Sequence, residues 1–296
     1  MTTPLTLVAL SHEPIAPALE VALVNHAKII GIQISPIQSC TAHQPYFSQR
    51  WSSNKTLMPE ARIAMREIAA NHQVDLVFLS PGFKPHDVKV LAMDMDSTLI
   101  NIECIDEIAD FTGKKSAVSQ ITEATMRGEI KDFKESLRRR VALLEGVSAA
   151  VLESVYQERL RPNPGAKELL TNANDLGLYT LLVSGGFTFF TDKLRSELGF
   201  KQSQANTLEI IDGKLTGRVL GEIVDGAAKA AYLEQACSKL GCKKKHSITI
   251  GDGSNDLPMM QGSGISIAYR AKPIVREKAD ASFDRVGLDA ALLLIA

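Results

Sequence analysis

The sequence lacks the features that mark disulfide-bonded and membrane-spanning proteins. Its 296 residues include four cysteines with no Cys-x-x-Cys pair, too few and too scattered for a disulfide scaffold. No apolar stretch approaches the length of a membrane span. His12, Glu13 and Pro14 interrupt the short apolar run at the N-terminus, which is therefore a poor signal peptide. We expect a reduced, cytoplasmic setting and no membrane partner.

An excess of either charge is also absent. Lys and Arg together number 33 against 34 Asp and Glu, and the six histidines show no metal-binding spacing. A net charge near zero gives no electrostatic footprint for nucleic acid, so a small-molecule substrate fits this balance better. With 45% hydrophobic and 23% charged residues, the chain is long enough for one large domain and a smaller one.

Residues 1–84 show the pattern of a small α+β domain. Residues 4–10 and 74–80 predict strands, and helical patterns at 14–27 and 59–73 lie between them. Prolines and glycine at 81–85 then break the pattern, which predicts the domain boundary there. The segment resembles the small ACT-like regulatory domains that bind amino acids, while a spacer role or dimerisation, giving a homodimer, is equally open.

Residues 85–296 predict an α/β domain. Buried strand patterns alternate with amphipathic helices, as in a parallel sheet covered on both faces, at residues 88–93, 178–183, 247–251 and 265–269. Residues 207–224 predict a hairpin, and residues 103 to about 160 show only helical patterns. The expected fold is α/β, a Rossmann-like parallel sheet core with an inserted helical cap, plus the small N-terminal α+β domain.

Three polar segments each follow a predicted strand, at residues 94–98, 184–186 and 251–256. In open α/β sheets the ligand crevice lies outside the carboxyl ends of the strands, so we expect these segments to converge on one site.

Four of these residues are aspartates, Asp94, Asp96, Asp252 and Asp256. They could supply the hard oxygen ligands that Mg²⁺ prefers, and a metal would lower the repulsion between an anionic nucleophile and a phosphate. One carboxylate can attack phosphorus while a second protonates the leaving oxygen and later takes a proton from water. The pattern therefore indicates phosphoryl transfer.

Other interpretations of these motifs are weaker. The Asp-x-Asp-x-Thr run could be a plain Asx turn at a strand end. An EF-hand calcium loop would need Gly and Glu where Leu99 and Ile105 stand. The Gly251-x-Gly253 pair could begin a dinucleotide-binding turn, but Asp256 occupies the third glycine position.

Residues 88–296 resemble the haloacid dehalogenase superfamily of aspartate-nucleophile phosphatases, and within it the enzymes that act on phosphoserine. The matching stretches are AMDMDSTLINIECIDEIA, ITEATMRGEIKDFKESLRRRV, LLVSGGF, and IGDGSNDLPMM followed by AKP at 271–273. Four motifs in order are far more specific than any one of them. The resemblance implies hydrolysis of O-phospho-L-serine to serine and phosphate, the last step of serine biosynthesis.

The resemblance also implies roles for individual residues. Asp94 would be the nucleophile and Asp96 the general acid and base. The Asp94 carboxylate, the main-chain carbonyl of Asp96 and Asp252 would hold Mg²⁺. Asp256 could ligate the metal through water or hydrogen-bond the loop, and we favour a supporting role in the metal site.

Four further residues would contact the transferred phosphoryl group by the same resemblance. Ser184, the Gly185 amide and Lys229 would clamp it, with Asn255 nearby. Taken alone, Ser184 could be a turn residue and Lys229 a solvated surface lysine.

Substrate selection would depend on the cap. The resemblance places Glu103 against the substrate ammonium and Arg140 against its carboxylate, which a guanidinium can bind through two hydrogen bonds. Arg138 and Arg139 are adjacent, and any of the three could instead lie on an exposed helix face.

Met126 and Phe133 in the cap would cover the substrate or belong to the core.

Two rival functions remain open from the sequence. The enzyme could transfer the phosphoryl group to another alcohol instead of water, or the chain could be a signalling module that accepts phosphate on an aspartate.

Overall fold

The computed structural model describes residues 5–126, 129–130 and 132–295, except for the side chain of Met126, whose expected place over the substrate therefore lies outside the described part. The strands are β1 Leu5–Ser11, β2 Ile34–His43, β3 Tyr46–Ser53, β4 Asp75–Leu79, β5 Val90–Met93, β6 Tyr179–Phe187, β7 Gln202–Ile211, β8 Lys214–Leu220, β9 Ser247–Gly251, β10 Ile265–Tyr269 and β11 Ala281–Phe283. The helices are α1 Pro17–Ile29, α2 Pro59–Asn71, α3 Cys104–Phe111, α4 Lys115–Met126, α5 Phe133–Ala142, α6 Ala150–Ser154, α7 Ala166–Asp175, α8 Thr188–Leu198, α9 Gly226–Lys239, α10 Leu257–Met260 and α11 Pro273–Lys278.

The strands form one sheet in the order β2-β3-β1-β4-β11-β10-β9-β5-β6-β7-β8. From β11 to β7 neighbouring strands are parallel, which confirms the predicted α/β core. Alternate residues of β5 pack on opposite faces of the sheet: Leu91 joins one apolar cluster and Val90 another, and both are fully buried. Two covered faces explain why the strand sequences are continuously apolar.

The predicted hairpin forms from β7 and β8. Its turn residues Asp212 and Gly213 both have positive φ, +49° and +72°, the conformation that a two-residue turn of this hand requires.

The helical insertion between β5 and β6 is confirmed. Helices α3 to α6 occupy it, and their apolar faces pack through buried residues such as Ile108, Leu137 and Val141. Helix α5 lies against β8, the strand at one edge of the sheet.

The N-terminal segment is an antiparallel sheet whose face is covered by α1 and α2. Its core contains Leu7, Trp51 and Phe78, all fully buried. The hairpin of β2 and β3 and the short β11 were not predicted as strands. Because β4 pairs with β11 at Val77 and Ala281, the N-terminal strands continue the main sheet. The domain boundary near residue 84 stays a prediction.

A buried carboxylate fastens this junction. Asp75, at the start of β4, is 3% exposed, and its Oδ2 accepts the backbone N–H groups of Asp284, Arg285 and Val286 at 2.9–3.0 Å. Among the described residues, no helix has the length and apolar character needed to cross a membrane.

Candidate active site

The three polar segments meet at the carboxyl ends of the central strands. Asp94 directly follows β5, between β9 and β6, and its backbone N–H donates to Ile250 O at 3.0 Å. Beyond it the chain makes a tight turn over Met95–Leu99, in which Ser97 has a φ of +54°. The Asp94 Oδ1 atom accepts the Met95 N–H at 2.7 Å, which fixes the carboxylate.

Lys229 is fully buried beside Asp94 and is no surface lysine. Its Nζ lies 2.7 Å from Asp94 Oδ2 and 2.7 Å from Asp256 Oδ1. Burial acts to lower the pKa of Lys229, but Asp256 and Asp94 raise it above its ordinary value, so the ammonium is retained. The first turn of α9 thus places a permanent cation next to the predicted nucleophile.

Carboxylate oxygens of Asp94, Asp252 and Asp256 all lie within 4.8 Å of one another. Burial and then Asp256 raise the pKa of Asp94, and the same two causes raise the pKa of Asp252 to about 7. Lys229 is the cation that contacts Asp94 and Asp256 directly. Three crowded carboxylates beside one ammonium form a donor set of hard oxygens with excess negative charge, which suits a divalent cation such as Mg²⁺.

The side chain of Asp96 is not part of the cluster formed by Asp94, Asp252 and Asp256. Its Oδ1 accepts the Cys104 N–H at 3.3 Å, and a Cβ on Gly186 would lie 2.7 Å from its Oδ2, so glycine permits this close approach. Burial and then Glu103 raise the pKa of Asp96 to about 8. A carboxyl that holds its proton near neutral pH can act as a general acid.

Residues 184–186, the serine–glycine loop, form a second wall. Ser184 is fully buried, and its Oγ accepts the Gly186 N–H at 2.8 Å. A Cβ on Gly185 would lie 3.1 Å from Phe133 Cζ, so the cap residue Phe133 reaches the loop. Asn255 is half-buried, with its backbone carbonyl against Gly226 at the start of α9.

The two predicted recognition residues lie on the cap side of the site. Glu103 accepts a hydrogen bond from Ser97 Oγ at 2.7 Å. Arg140 is half-buried, and burial lowers its pKa while Glu103 is the foremost of the carboxylates that raise it. Arg138 and Arg139 are exposed, which distinguishes Arg140 from its two neighbours.

A family model described as haloacid dehalogenase-like hydrolase matches residues 91–261, more than half of the chain. The chain belongs to the haloacid dehalogenase-like hydrolases. It is 55% identical over 220 residues to a phosphoserine phosphatase of Polaromonas sp. (strain JS666), covering 73% of this chain and 93% of that protein.

Two solved structures extend the comparison. A probable phosphoserine phosphatase from Vibrio cholerae is 32% identical, with a TM-score of 0.78 over 98% of this chain and 87% of that one. A phospho-aspartyl intermediate analogue of phosphoserine phosphatase is 38% identical, with a TM-score of 0.66 over 71% of this chain and 99% of that one.

Some supporting residues of this haloacid dehalogenase-like site were missed by sequence reasoning. Asn163 is buried and donates from Nδ2 to Thr98 O at 2.8 Å and Ile100 O at 3.0 Å, so it holds the turn after Asp94. Thr98 Oγ1 donates to Asp252 Oδ1 at 3.2 Å. Thr98 was at least part of a motif, whereas a single asparagine after the cap carries no sequence signal.

Proposed function

We propose that the protein hydrolyses O-phospho-L-serine to L-serine and inorganic phosphate, the last step of serine biosynthesis, through a phosphate on Asp94. The observation that carries the proposal is the buried Asp94 carboxylate, 2.7 Å from Lys229 and clustered with Asp252 and Asp256. The similarity to a phosphoserine phosphatase of Polaromonas and to a probable phosphoserine phosphatase of Vibrio cholerae supports phosphoserine as the substrate.

The first half-reaction transfers the phosphoryl group to the protein. A carboxylate oxygen of Asp94 attacks phosphorus, the bond from phosphorus to the serine oxygen breaks, and Asp96 donates a proton to that oxygen. The Ser184 hydroxyl, the Gly185 amide and Lys229 stabilise the charge on the equatorial phosphoryl oxygens, with Asn255 nearby.

The second half-reaction returns the enzyme to its starting state. Asp96, now ionised, takes a proton from water, the water oxygen attacks phosphorus, and the bond to Asp94 breaks to release phosphate. Dividing one displacement into two gives each step a well-placed nucleophile.

We further propose Mg²⁺ as the cofactor. The Asp94 carboxylate, the Asp96 main-chain carbonyl and Asp252 would hold it, with Asp256 supporting the site by fixing Lys229 and the Gly253 N–H. Bound Mg²⁺ would neutralise charge between the nucleophile and the phosphate.

Selectivity for phosphoserine is proposed to rest on Glu103 and Arg140. Phosphoserine carries an ammonium and a carboxylate beside its phosphate, so one fixed anion and one fixed cation can recognise it. The proposal is supported by the hydrogen bond between Glu103 and Ser97 in the turn after Asp94, and by Glu103 and Asp96, which act against burial to raise the pKa of Arg140.

A cytoplasmic location is also part of the proposal, supported by the four cysteines, which are all free thiols in the structure. A homodimer would show twice the chain mass of 32.1 kDa in light scattering.

The proposal is tested with Asp94→Asn, which removes the nucleophilic oxygen with little change in shape. We expect phosphoserine hydrolysis to fall by at least about 10³-fold, and wild-type activity to disappear when Mg²⁺ is chelated and return when it is added back. Asp175→Asn, at the exposed end of α7, is the control and should retain full activity. Normal turnover by Asp94→Asn would exclude the nucleophile assignment, and a phosphorylated alcohol as main product would replace hydrolysis by transfer.

A further inference from the structure

Asn206, on β7, is a buried residue outside every sequence motif. It is 1% exposed, and both ends of its side-chain amide are used. Its Nδ2 donates to Gly185 O at 2.8 Å, and its Oδ1 accepts the Val224 N–H at 2.8 Å. One side chain therefore joins two segments that are far apart in sequence.

The bond to Gly185 O lies where the backbone pairing between β6 and β7 is interrupted. Strands β6 and β7 pair in register up to Val183 and Gln204, and pairing resumes at Phe187 and Asn206. The serine–glycine loop bulges out of the ladder in between. A carbonyl that loses its partner in the sheet needs another donor, and the Asn206 amide supplies one for Gly185 O.

The bond also fixes the orientation of one peptide group. The C=O of Gly185 and the N–H of Gly186 belong to the same planar unit, so they point in opposite directions. Asn206 holds the C=O, while the N–H donates to Ser184 Oγ at 2.8 Å. The peptide plane is thus held at both ends.

This orientation decides how the Ser184 hydroxyl is used. A serine hydroxyl has one proton to donate and two lone pairs that accept. Because the Gly186 N–H occupies a lone pair, the hydroxyl proton is left to donate to a phosphoryl oxygen. If the peptide turned over, its carbonyl would compete for that proton.

The second bond reaches the helix that carries the buried lysine. Val224 immediately precedes Asp225, whose side chain caps α9, and Lys229 lies in the first turn of that helix. We propose that Asn206 is a positioning residue that orients the Ser184 hydroxyl towards the transferred phosphoryl group and ties the serine–glycine loop to α9. This role rests on the proposed phosphatase function.

A double-mutant cycle tests the proposal. Asn206→Ala, Ser184→Ala and the double variant are assayed with phosphoserine and with p-nitrophenyl phosphate, which lacks the amino acid part. We expect each single change to lower kcat by about 10–100-fold, with smaller changes in KM. Because the Asn206 bond to Gly185 O is expected to affect kcat mainly by orienting Ser184, the double variant should be within about threefold of Ser184→Ala. Effects that multiply in the double variant would overturn the proposal.

Thr180→Val is the matched control for a purely structural loss. Thr180 is also fully buried on β6 and accepts a bond from the Lys201 N–H at 3.0 Å, but at the far end of the strand. This variant should lower the thermal midpoint while leaving kcat unchanged.

A second variant keeps the proposal testable if Asn206→Ala folds poorly. Asn206→Asp keeps the side-chain volume and the acceptor for the Val224 N–H. Its ionised carboxylate has no donor for Gly185 O and adds a negative charge facing that carbonyl. It should also be slow on both substrates, and wild-type kcat in this variant would contradict the role. If the wild-type protein hydrolyses p-nitrophenyl phosphate but not phosphoserine, the substrate proposal fails while the cycle can still be read.

Discussion

Lys229 shows how one buried cation organises a cluster of acids. It contacts Asp94 and Asp256 at 2.7 Å each, and it has no exposed surface. A buried charge is tolerated when it is paired, and the pairing holds both carboxylates in fixed positions. The Asp94 carboxylate, which is the proposed nucleophile, is therefore held in position by its ion pair with Lys229 before a substrate binds.

Arg140 is the residue whose substitution should separate recognition from chemistry. Arg140→Ala should lower kcat/KM for phosphoserine by about 30-fold or more, because the carboxylate of the substrate would lose the guanidinium proposed to bind it. The value for p-nitrophenyl phosphate should change by no more than about threefold. Steady-state kinetics on both substrates measures this ratio.

Arg138→Ala is the matched control, since Arg138 lies two residues earlier on α5 and is exposed. It should behave as wild type on both substrates. An equal loss on both substrates in Arg140→Ala would point to damage of the phosphate site.

At the scale of single residues, the sequence identified the side chains that belong to contiguous motifs. Asp94 and Asp252 do converge, since parallel strands bring their carboxyl ends to one rim, and Lys229 reaches the same place from the first turn of helix α9. Asn163 and Asn206 could not be found, because their roles depend on backbone carbonyls that only the folded chain brings near.

Helix α9 illustrates how an element presents a residue to the site. Asp225 has extended backbone geometry and its side chain accepts the Ala228 N–H at 2.9 Å, so it caps the helix. Its Oδ2 also lies 3.4 Å from Lys134 Nζ in the cap. The hydrogen bond to Ala228 is the foremost cause that lowers the pKa of Asp225.

We predict that Asp225→Ala lowers the free energy of unfolding by about 1 kcal/mol at neutral pH. A carboxyl whose folded-state pKa is depressed stabilises the protein above its unfolded pKa. The difference between wild type and variant should therefore be full above about pH 5 and shrink as pH falls through the lowered pKa. Urea titrations at several pH values measure it, with Asp175→Ala as the exposed control. A difference that grows on acidification would contradict the capping role.

Strands were predicted well where burial gives the sequence a clear pattern of apolar residues. The central strands are apolar throughout and were located from the sequence. Strand β2 lies at the edge of the sheet, is largely exposed, contains Pro36 and pairs irregularly, so its residues show no alternation. Strand β11 has three residues, too few to display any period.

For the whole molecule, the junction between β4 and residues 284–286 tests how the N-terminal strands are held to the rest of the chain. Asp75→Ala leaves the N–H groups of Asp284, Arg285 and Val286 without their acceptor. We expect the free energy of unfolding to fall by about 3 kcal/mol, measured by urea denaturation.

Asp87→Ala is the control for this change, because the side chain of Asp87 is 45% exposed and its nearest charged neighbour, His86 at 3.5 Å, is also at the surface. It should change the free energy of unfolding by no more than about 0.5 kcal/mol. If Asp75→Ala were equally mild, the junction would not contribute to the stability of the chain.

The pairing of β4 with β11 also has a consequence for synthesis on the ribosome. Val77 meets Ala281, about 200 residues later in the chain. At roughly 5–20 residues per second, translation leaves that strand edge waiting for about 10–40 s. During this interval the edge of β4 lacks its partner strand, and an unpaired strand edge can pair with another chain.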